Sequence, residues 1–333
     1  MEKVYLVTGG AGFIGSHLVD HLVQLGKKVR VLDNLSTGLQ SNLTNVRDKI
    51  EFIDGSITDE KAIEYSIRNC THVFHLAALA SVARSVENPL ATHEACVTGT
   101  LKLLDQARKQ GVKRVVYAAS SSAYGGASDN RLSQQEGSGA QIETQLPMAM
   151  SPYAAAKLAG EYYLQAFANT YGLETVRLRF FNIFGPRQRS DSPYSGVIAL
   201  FVRQMLANQQ PIIFGDGLQS RDFTFVQNAV SALYLAAIVP GVSGKVYNVG
   251  TGRGVNLLQL VQNLNQILGR HLQPTHEKDR LGDVRYSCAD ITRIQADLGY
   301  EPIVLFDEGL KRTVEWCKST QADTVVLPKR KSA

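Results

Sequence analysis

Cysteine is scarce in this 333-residue chain: Cys70, Cys96, Cys288 and Cys317 form no CxxC pair and show no metal-ligand spacing. That pattern argues against a disulfide framework and a cysteine-bound metal, so four reduced structural thiols and no metal are expected. No stretch approaches the ~18 uninterrupted apolar residues of a membrane span. The opening MEKVYLVTGG lacks the charged, apolar and small-residue regions of a secretory signal, and the cytoplasm is the expected location. Charge of neither sign is concentrated: 35 basic against 30 acidic residues leave +5, with the basic residues scattered. Such a distribution implies no nucleic-acid groove, although it suits a small, multiply charged anion. Internal repeats and low-complexity linkers are lacking too. What is present is 44% hydrophobic residues, enough for a large core and about two domains or subdomains.

Short β-rich runs alternate with helix-length amphipathic segments through the first half. The pattern predicts strands over 4–7, 28–32, 51–53, 73–76, 115–119 and 175–180, with helices over 13–25, 59–68, 89–109 and 153–171. This βαβα order predicts an α/β fold, a Rossmann-type doubly wound parallel sheet with helices on both faces. Ligands of such sheets bind outside the carboxyl ends of the strands. After Asn182 the segments shorten and turns recur at Gly185–Pro186, Gly215–Asp216–Gly217 and Gly250–Thr251–Gly252. A smaller C-terminal α+β lobe is expected there, with helices over 255–269 and 307–316. The expected division is 1–182 and 183–320 with an interleaved boundary, then a flexible tail over 321–333.

Gly9, Gly12 and Gly15 form a G-x-x-G-x-x-G run between a predicted strand and a predicted helix. Glycines there permit a tight turn and let the backbone approach a pyrophosphate, which the helix N-terminus attracts. Asp33 ends the next strand, 18 residues beyond Gly15. A carboxylate there accepts bonds from an adenosine ribose and repels a 2′-phosphate, favouring NAD over NADP. Arg30 lies close by and is assigned to solvating a strand end. The same residues could also be a structural βα turn with a chance aspartate. Tyr153 and Lys157 stand four apart on one helix face, where an ammonium favours the phenolate of a tyrosine whose ordinary pKa is about 10. By itself Y-x-x-x-K more often marks a surface pair. It gains weight from Ser120-Ser121-Ser122 at a strand end, where a hydroxyl could bond a substrate oxygen and relay its proton to the tyrosine.

TGGAGFIG, DNLSTG, HLAA, SSSAYG, SPYAAAK, RFFNIFGPRQ and SRDFTFV, in that order over residues 3–318, resemble the extended short-chain dehydrogenase/reductases. Within them the chain looks like the nucleotide-sugar 4-epimerases of the NAD-dependent epimerase/dehydratase family. The resemblance implies Tyr153 as acid/base, Lys157 as its activator and Ser120 as the hydroxyl partner. It implies NAD contacts along Gly9, Gly12, Phe13, Ile14 and Gly15, at Asp33, Asn34 and Ser36, at Ser56 and Ile57, along Leu76, Ala77 and Ala78, and at Phe180. Substrate contacts are implied for Ser81, Ser121, Ser122, Asn182, Arg221, Arg280, Asp283 and Ser287. A guanidinium fork suits phosphate oxygens, which supports Arg221 and Arg280, although either arginine alone would by default be a surface ion pair. One departure is Ser56-Ile57, where many relatives carry an aspartate that bonds the adenine amine. The polar stretch 125–151 reads as a loop near the site.

Reactions of this group begin with removal of hydride from sugar C4 to NAD. Dehydratase relatives then use an Asp-Glu pair, where this chain has Ser121 and Ser122, and decarboxylating relatives carry Glu in place of Ser122. Serines cannot supply that acid/base work at neutral pH. The implied activity is reversible C4 epimerisation of a UDP-hexose. Ser287, at the position that faces the hexose C2 substituent in relatives, implies room for N-acetylhexosamines. Alternatives are a 4,6-dehydratase, a decarboxylase, a UDP-glucuronate 4-epimerase and, from another class, a non-catalytic NAD sensor. A homodimer joined through helices around 89–109 and 153–171 is also implied.

Overall fold

The computed structural model describes residues 3–125, 139–190, 195–279 and 284–325. Seven strands build the main sheet: β1 (Val4–Thr8), β2 (Lys28–Asp33), β3 (Ile50–Asp54), β4 (Cys70–His75), β5 (Arg114–Ser120), β6 (Glu174–Phe180) and β7 (Lys245–Val249). Their spatial order is β7-β6-β5-β4-β1-β2-β3, and every pairing is parallel. A parallel sheet is covered on both faces, so its inner strands read as continuous apolar runs. VYLVT in β1 is buried at all five positions.

On one face, Leu18, Val19 and Leu22 of the helix Phe13–Gln24 and Ala229 and Leu233 of the helix Val226–Ile238 pack over Val7, Val31 and Val116. On the other, Ile63, Leu103, Leu104, Leu164 and Phe167 cover Leu6, Val73 and Val115. Strand order reverses between β1 and β4, which opens a crevice at their carboxyl ends, Thr8 and His75. A third core fills the lobe with Phe184, Phe201, Phe223, Phe225, Leu260 and Leu310.

Three features differ from the sequence expectation. The helix expected over 89–109 is three pieces: Pro89–His93, a wider π-type turn Glu94–Thr98, and Gly99–Lys109. A further helix, Val82–Glu87, precedes them, with Ser81 Oγ as its N-cap, accepting from Arg84 N–H at 3.2 Å. The last helix, Phe306–Val325, runs into the stretch expected to be a flexible tail. Beyond residue 182, the helix Val226–Ile238 and β7 pack on the main sheet. Among the described residues no helix is long and apolar enough to cross a membrane, and no group of side chains has a metal-site arrangement.

Candidate active site

The glycine turn fits tightly against the strand ends. Gly9 has φ +70°, and a Cβ there would lie 2.8 Å from Ala77 N. The turn therefore lies directly against Leu76 and Ala77, whose N–H groups donate to Thr8 O and Thr8 Oγ1. A Cβ at Gly15 would come within 2.1 Å of Gly9 O. Gly12 caps the helix Phe13–Gln24 without any side-chain bond, so its first N–H groups and dipole are left for an anion.

Asp33 ends β2 at 8% exposure. Its Oδ2 accepts Ala11 N–H at 2.9 Å and its Oδ1 accepts Leu35 N–H at 2.8 Å, leaving a lone pair on each oxygen for a ribose hydroxyl. Burial raises the Asp33 pKa, and the two N–H bonds oppose that rise. Asn34 and Ser36 form the exposed rim, with Asn34 Oδ1 accepting Ser36 N–H. This set of residues fits a dinucleotide. Arg30 is committed elsewhere, to Glu51 Oε2 at 2.7 Å and to Ser66 O and Arg68 O at the end of the helix Glu60–Ile67. Ser56 follows β3; its Oγ accepts Thr58 N–H and shares a proton with the Thr58 hydroxyl at 2.8 Å, while Ile57 is buried beside it.

Across the crevice, β5 delivers Ser120 and the helix Pro152–Tyr171 delivers Tyr153 and Lys157. The Ser120 hydroxyl lies beside the Tyr153 phenol. Burial raises the Tyr153 pKa, the Cys96 thiol adds to that, and the Ser120 hydroxyl lowers it. Lys157 is 3% exposed, donates to Ala118 O at 2.8 Å and sits 4.7 Å above the Tyr117 ring. Burial depresses its pKa, while Cys96 and Glu161 sustain the charge. Its ammonium thus bonds the Ala118 carbonyl rather than the phenol. Phe180, register partner of Ser120, closes the end of β6. Ala78 lies in a cluster with Cys96, Val97 and Ala156, and Ser121 and Ser122 begin a single turn, Ser121–Tyr124.

The lobe presents Arg221 and Ser287 as direct partners on two short strands, Ser220–Arg221 and Tyr286–Ser287. Asn182, with φ +33°, accepts Thr224 N–H where the chain leaves the main sheet. Arg280 and Asp283 lie outside the described residues.

Sequence reasoning missed three buried groups. Asp222 accepts from Thr251 N–H, Thr251 Oγ1, Gly252 N–H and Ala289 N–H, clasping two loops beside Arg221. Asn248 joins Tyr124 Oη, Gln141 O and Asp290 O, and with Glu143 on its own N–H it pins the described part of the 125–151 loop. His75 links Thr8 and Thr100. The aspartate after Arg221 and the histidine of HLAA were visible, but nothing in their spacing announced these partners.

The chain matches the NAD dependent epimerase/dehydratase family over residues 5–250. A UDP-glucose 4-epimerase of Mycolicibacterium smegmatis is 37% identical over 318 residues, 94% of this chain and 98% of that one. Among solved structures, the UDP-glucose 4-epimerase of Thermotoga maritima, with UDP-glucose, superposes with a TM-score of 0.87 at 40% identity, covering 96% of this chain and 99% of that one. The UDP-N-acetylglucosamine 4-epimerase of Methanobrevibacter ruminantium M1, in complex with UDP-N-acetylmuramic acid, gives 0.89 at 36% identity, with the same coverage. The protein belongs to the NAD dependent epimerase/dehydratase family. It is an enzyme of that family, built on a Rossmann-type fold, and its cofactor is NAD.

Proposed function

We propose that the chain is a UDP-hexose 4-epimerase that also accepts UDP-N-acetylhexosamines. The observation that carries this reading is the Ser120–Tyr153 pair beside Lys157, with only hydroxyls, Ser121 and Ser122, at the adjoining positions. Gly9, Gly12, Gly15 and Asp33 would hold the pyrophosphate and adenosine ribose of NAD, and Arg221 the substrate phosphates. Bound NAD supplies the acceptor, and later the donor, of the C4 hydride. Tyr153 takes the proton of the C4 hydroxyl as the C4 ketone forms, and gives it back after the ketone presents its other face. No carboxyl pair stands at 121 and 122 to draw water from C5 and C6, so return of the hydride is the outcome this site favours.

Ser287, beside Arg221, supports space for a C2 acetamido group. The same reading places residues 183–320 as the substrate lobe, the active form as a homodimer and the enzyme in the cytoplasm. The test is incubation with a panel of UDP-hexoses and no added NAD. A 4-epimer is expected; a 4-keto-6-deoxy sugar or CO₂ would assign a dehydratase or decarboxylase, and no turnover of any sugar would leave an NAD-binding sensor.

A further inference from the structure

Ser122 lines the sugar pocket in the proposed reaction, yet its hydroxyl is already engaged within the protein. Ser120 precedes the turn Ser121–Tyr124 as its N-cap. Its Oγ accepts two hydrogen bonds there, from Ser122 N–H at 3.2 Å and from the Ser122 hydroxyl at 2.9 Å. A serine oxygen carries two lone pairs and one proton. With both lone pairs occupied, the proton is what remains for the third neighbour, the Tyr153 phenol.

We propose that Ser122 is a positioning residue that fixes Ser120 as a hydrogen-bond donor toward Tyr153, so that the substrate proton passes directly to Tyr153 and not through Ser120. The inference rests on the proposed role of Tyr153. In the step, the substrate O4–H bond breaks as the Tyr153 Oη–H bond forms, and the C4 hydrogen leaves with its electron pair as in the reaction above. Ser120 keeps its own proton throughout. A relay would need a free Ser120 lone pair to receive the O4 proton, and the two bonds from Ser122 occupy that capacity.

The arrangement also strengthens the donor. In a chain of hydroxyls each donation polarises the next O–H, by roughly 10–30% per bond. Ser122 donating to Ser120 therefore makes Ser120 a better donor to a phenolate. The other groups around Tyr153 lie elsewhere: the Cys96 thiol in the turn Glu94–Thr98, Tyr117 on β5, and Lys157 and Glu161 on its own helix, with neutral His75 of β4 behind Lys157. A change at residue 122 alters none of them.

The experiment follows tyrosinate absorbance of the NAD-loaded protein against pH. Tyr153 is isolated by subtracting, for each variant, the same protein carrying Tyr153→Phe. Ser122→Ala is expected to raise the Tyr153 midpoint by about half a pH unit, since a charge-assisted bond is weakened and not removed. Ser122→Thr keeps a hydroxyl at that atom and should restore the wild-type midpoint. In parallel, kcat of Ser122→Ala should fall about threefold on the acid side of the midpoint and recover at alkaline pH, whereas a packing defect would lower it at every pH. An unshifted midpoint in Ser122→Ala, or a Ser122→Thr midpoint as high as that of Ser122→Ala, overturns the proposal. A shifted midpoint in a protein that makes no 4-epimer would uphold this inference and sink the epimerase reading. Epimer formation with an unshifted midpoint would do the reverse.

Discussion

Tyr153 is held between opposing influences: burial and the Cys96 thiol keep the phenol protonated, while the Ser120 hydroxyl favours the phenolate. Replacing it with phenylalanine deletes one hydroxyl and no bulk, so the fold and the NAD cradle should survive. Tyr153→Phe is expected to lower kcat by about 10²–10⁴-fold, the usual value of positioned proton transfer, with NAD affinity unchanged. Stopped assays and calorimetry check both halves, and more than about a tenth of wild-type kcat would remove the tyrosine from the role. At the sugar end, Ser287 is buried and pairs in register with Arg221. Ser287→Tyr is expected to cut kcat/KM for acetylated hexoses while sparing plain ones, because added bulk rejects the larger C2 substituent. Equal losses on both would mean that Ser287 only ends a short strand.

His75 shows how elements are fastened beneath the cofactor crevice. The Thr100 hydroxyl donates to Cys96 O at 2.7 Å, so it must accept from His75 Nε2–H at 2.9 Å. Nδ1 then accepts from the Thr8 hydroxyl at 2.8 Å, and Thr8 Oγ1 accepts Ala77 N–H. One neutral ring thus ties β1 and β4 to the helix Gly99–Lys109. Burial, with Lys157 nearby, drives the His75 pKa down to about 3. The unfolded chain therefore binds this proton between pH ~6.5 and about 3 while the folded chain refuses it. Stability from His75 is complete above pH ~6.5 and is lost as pH falls, by up to about 1.4 kcal/mol per pH unit. Urea midpoints across that range should fall more steeply for wild type than for His75→Gln; parallel curves would show that the ring is not held neutral. Little of this fastening is written in the sequence. Strands β1 and β5 were legible because burial on both faces demands apolar runs, and Gly9 because a side chain would strike Ala77. The break at Glu94–Thr98 was not, since the apolar pattern continues through it. The Asp222 clasp and the two-residue strands of the lobe were hidden for a related reason: their partners are distant in sequence and too short to leave a period.

At the scale of the whole molecule, three cores account for the apolar side chains that face the main sheet and fill the lobe, while three adjoining helices keep apolar side chains in solvent. Leu90 is 80% exposed, Val86 66% and Tyr162 62%. They lie on the helices Pro89–His93, Val82–Glu87 and Pro152–Tyr171, the last of which also carries Tyr153 and Lys157. Exposed apolar surface gathered on neighbouring helices is the mark of an interface, and a two-fold axis through this face would pair each patch with its copy. Burying a leucine contributes about 1.5–3 kcal/mol, and symmetry counts every contact twice. A carboxylate at residue 90 would likewise be buried twice, near its own image. Leu90→Glu should therefore weaken association by about a hundredfold or more while leaving the monomer folded, because the native side chain is mostly in solvent. Sedimentation velocity at micromolar protein is expected to show a dimer for wild type and a monomer for the variant, with matching far-ultraviolet circular dichroism. A monomeric wild type would overturn the dimer; a variant that stays dimeric would move the interface to another face. If the helix Pro152–Tyr171 that carries Tyr153 lines that interface, the monomer should also lose kcat out of proportion to any change in NAD binding, which would tie assembly to the chemistry at the sheet edge.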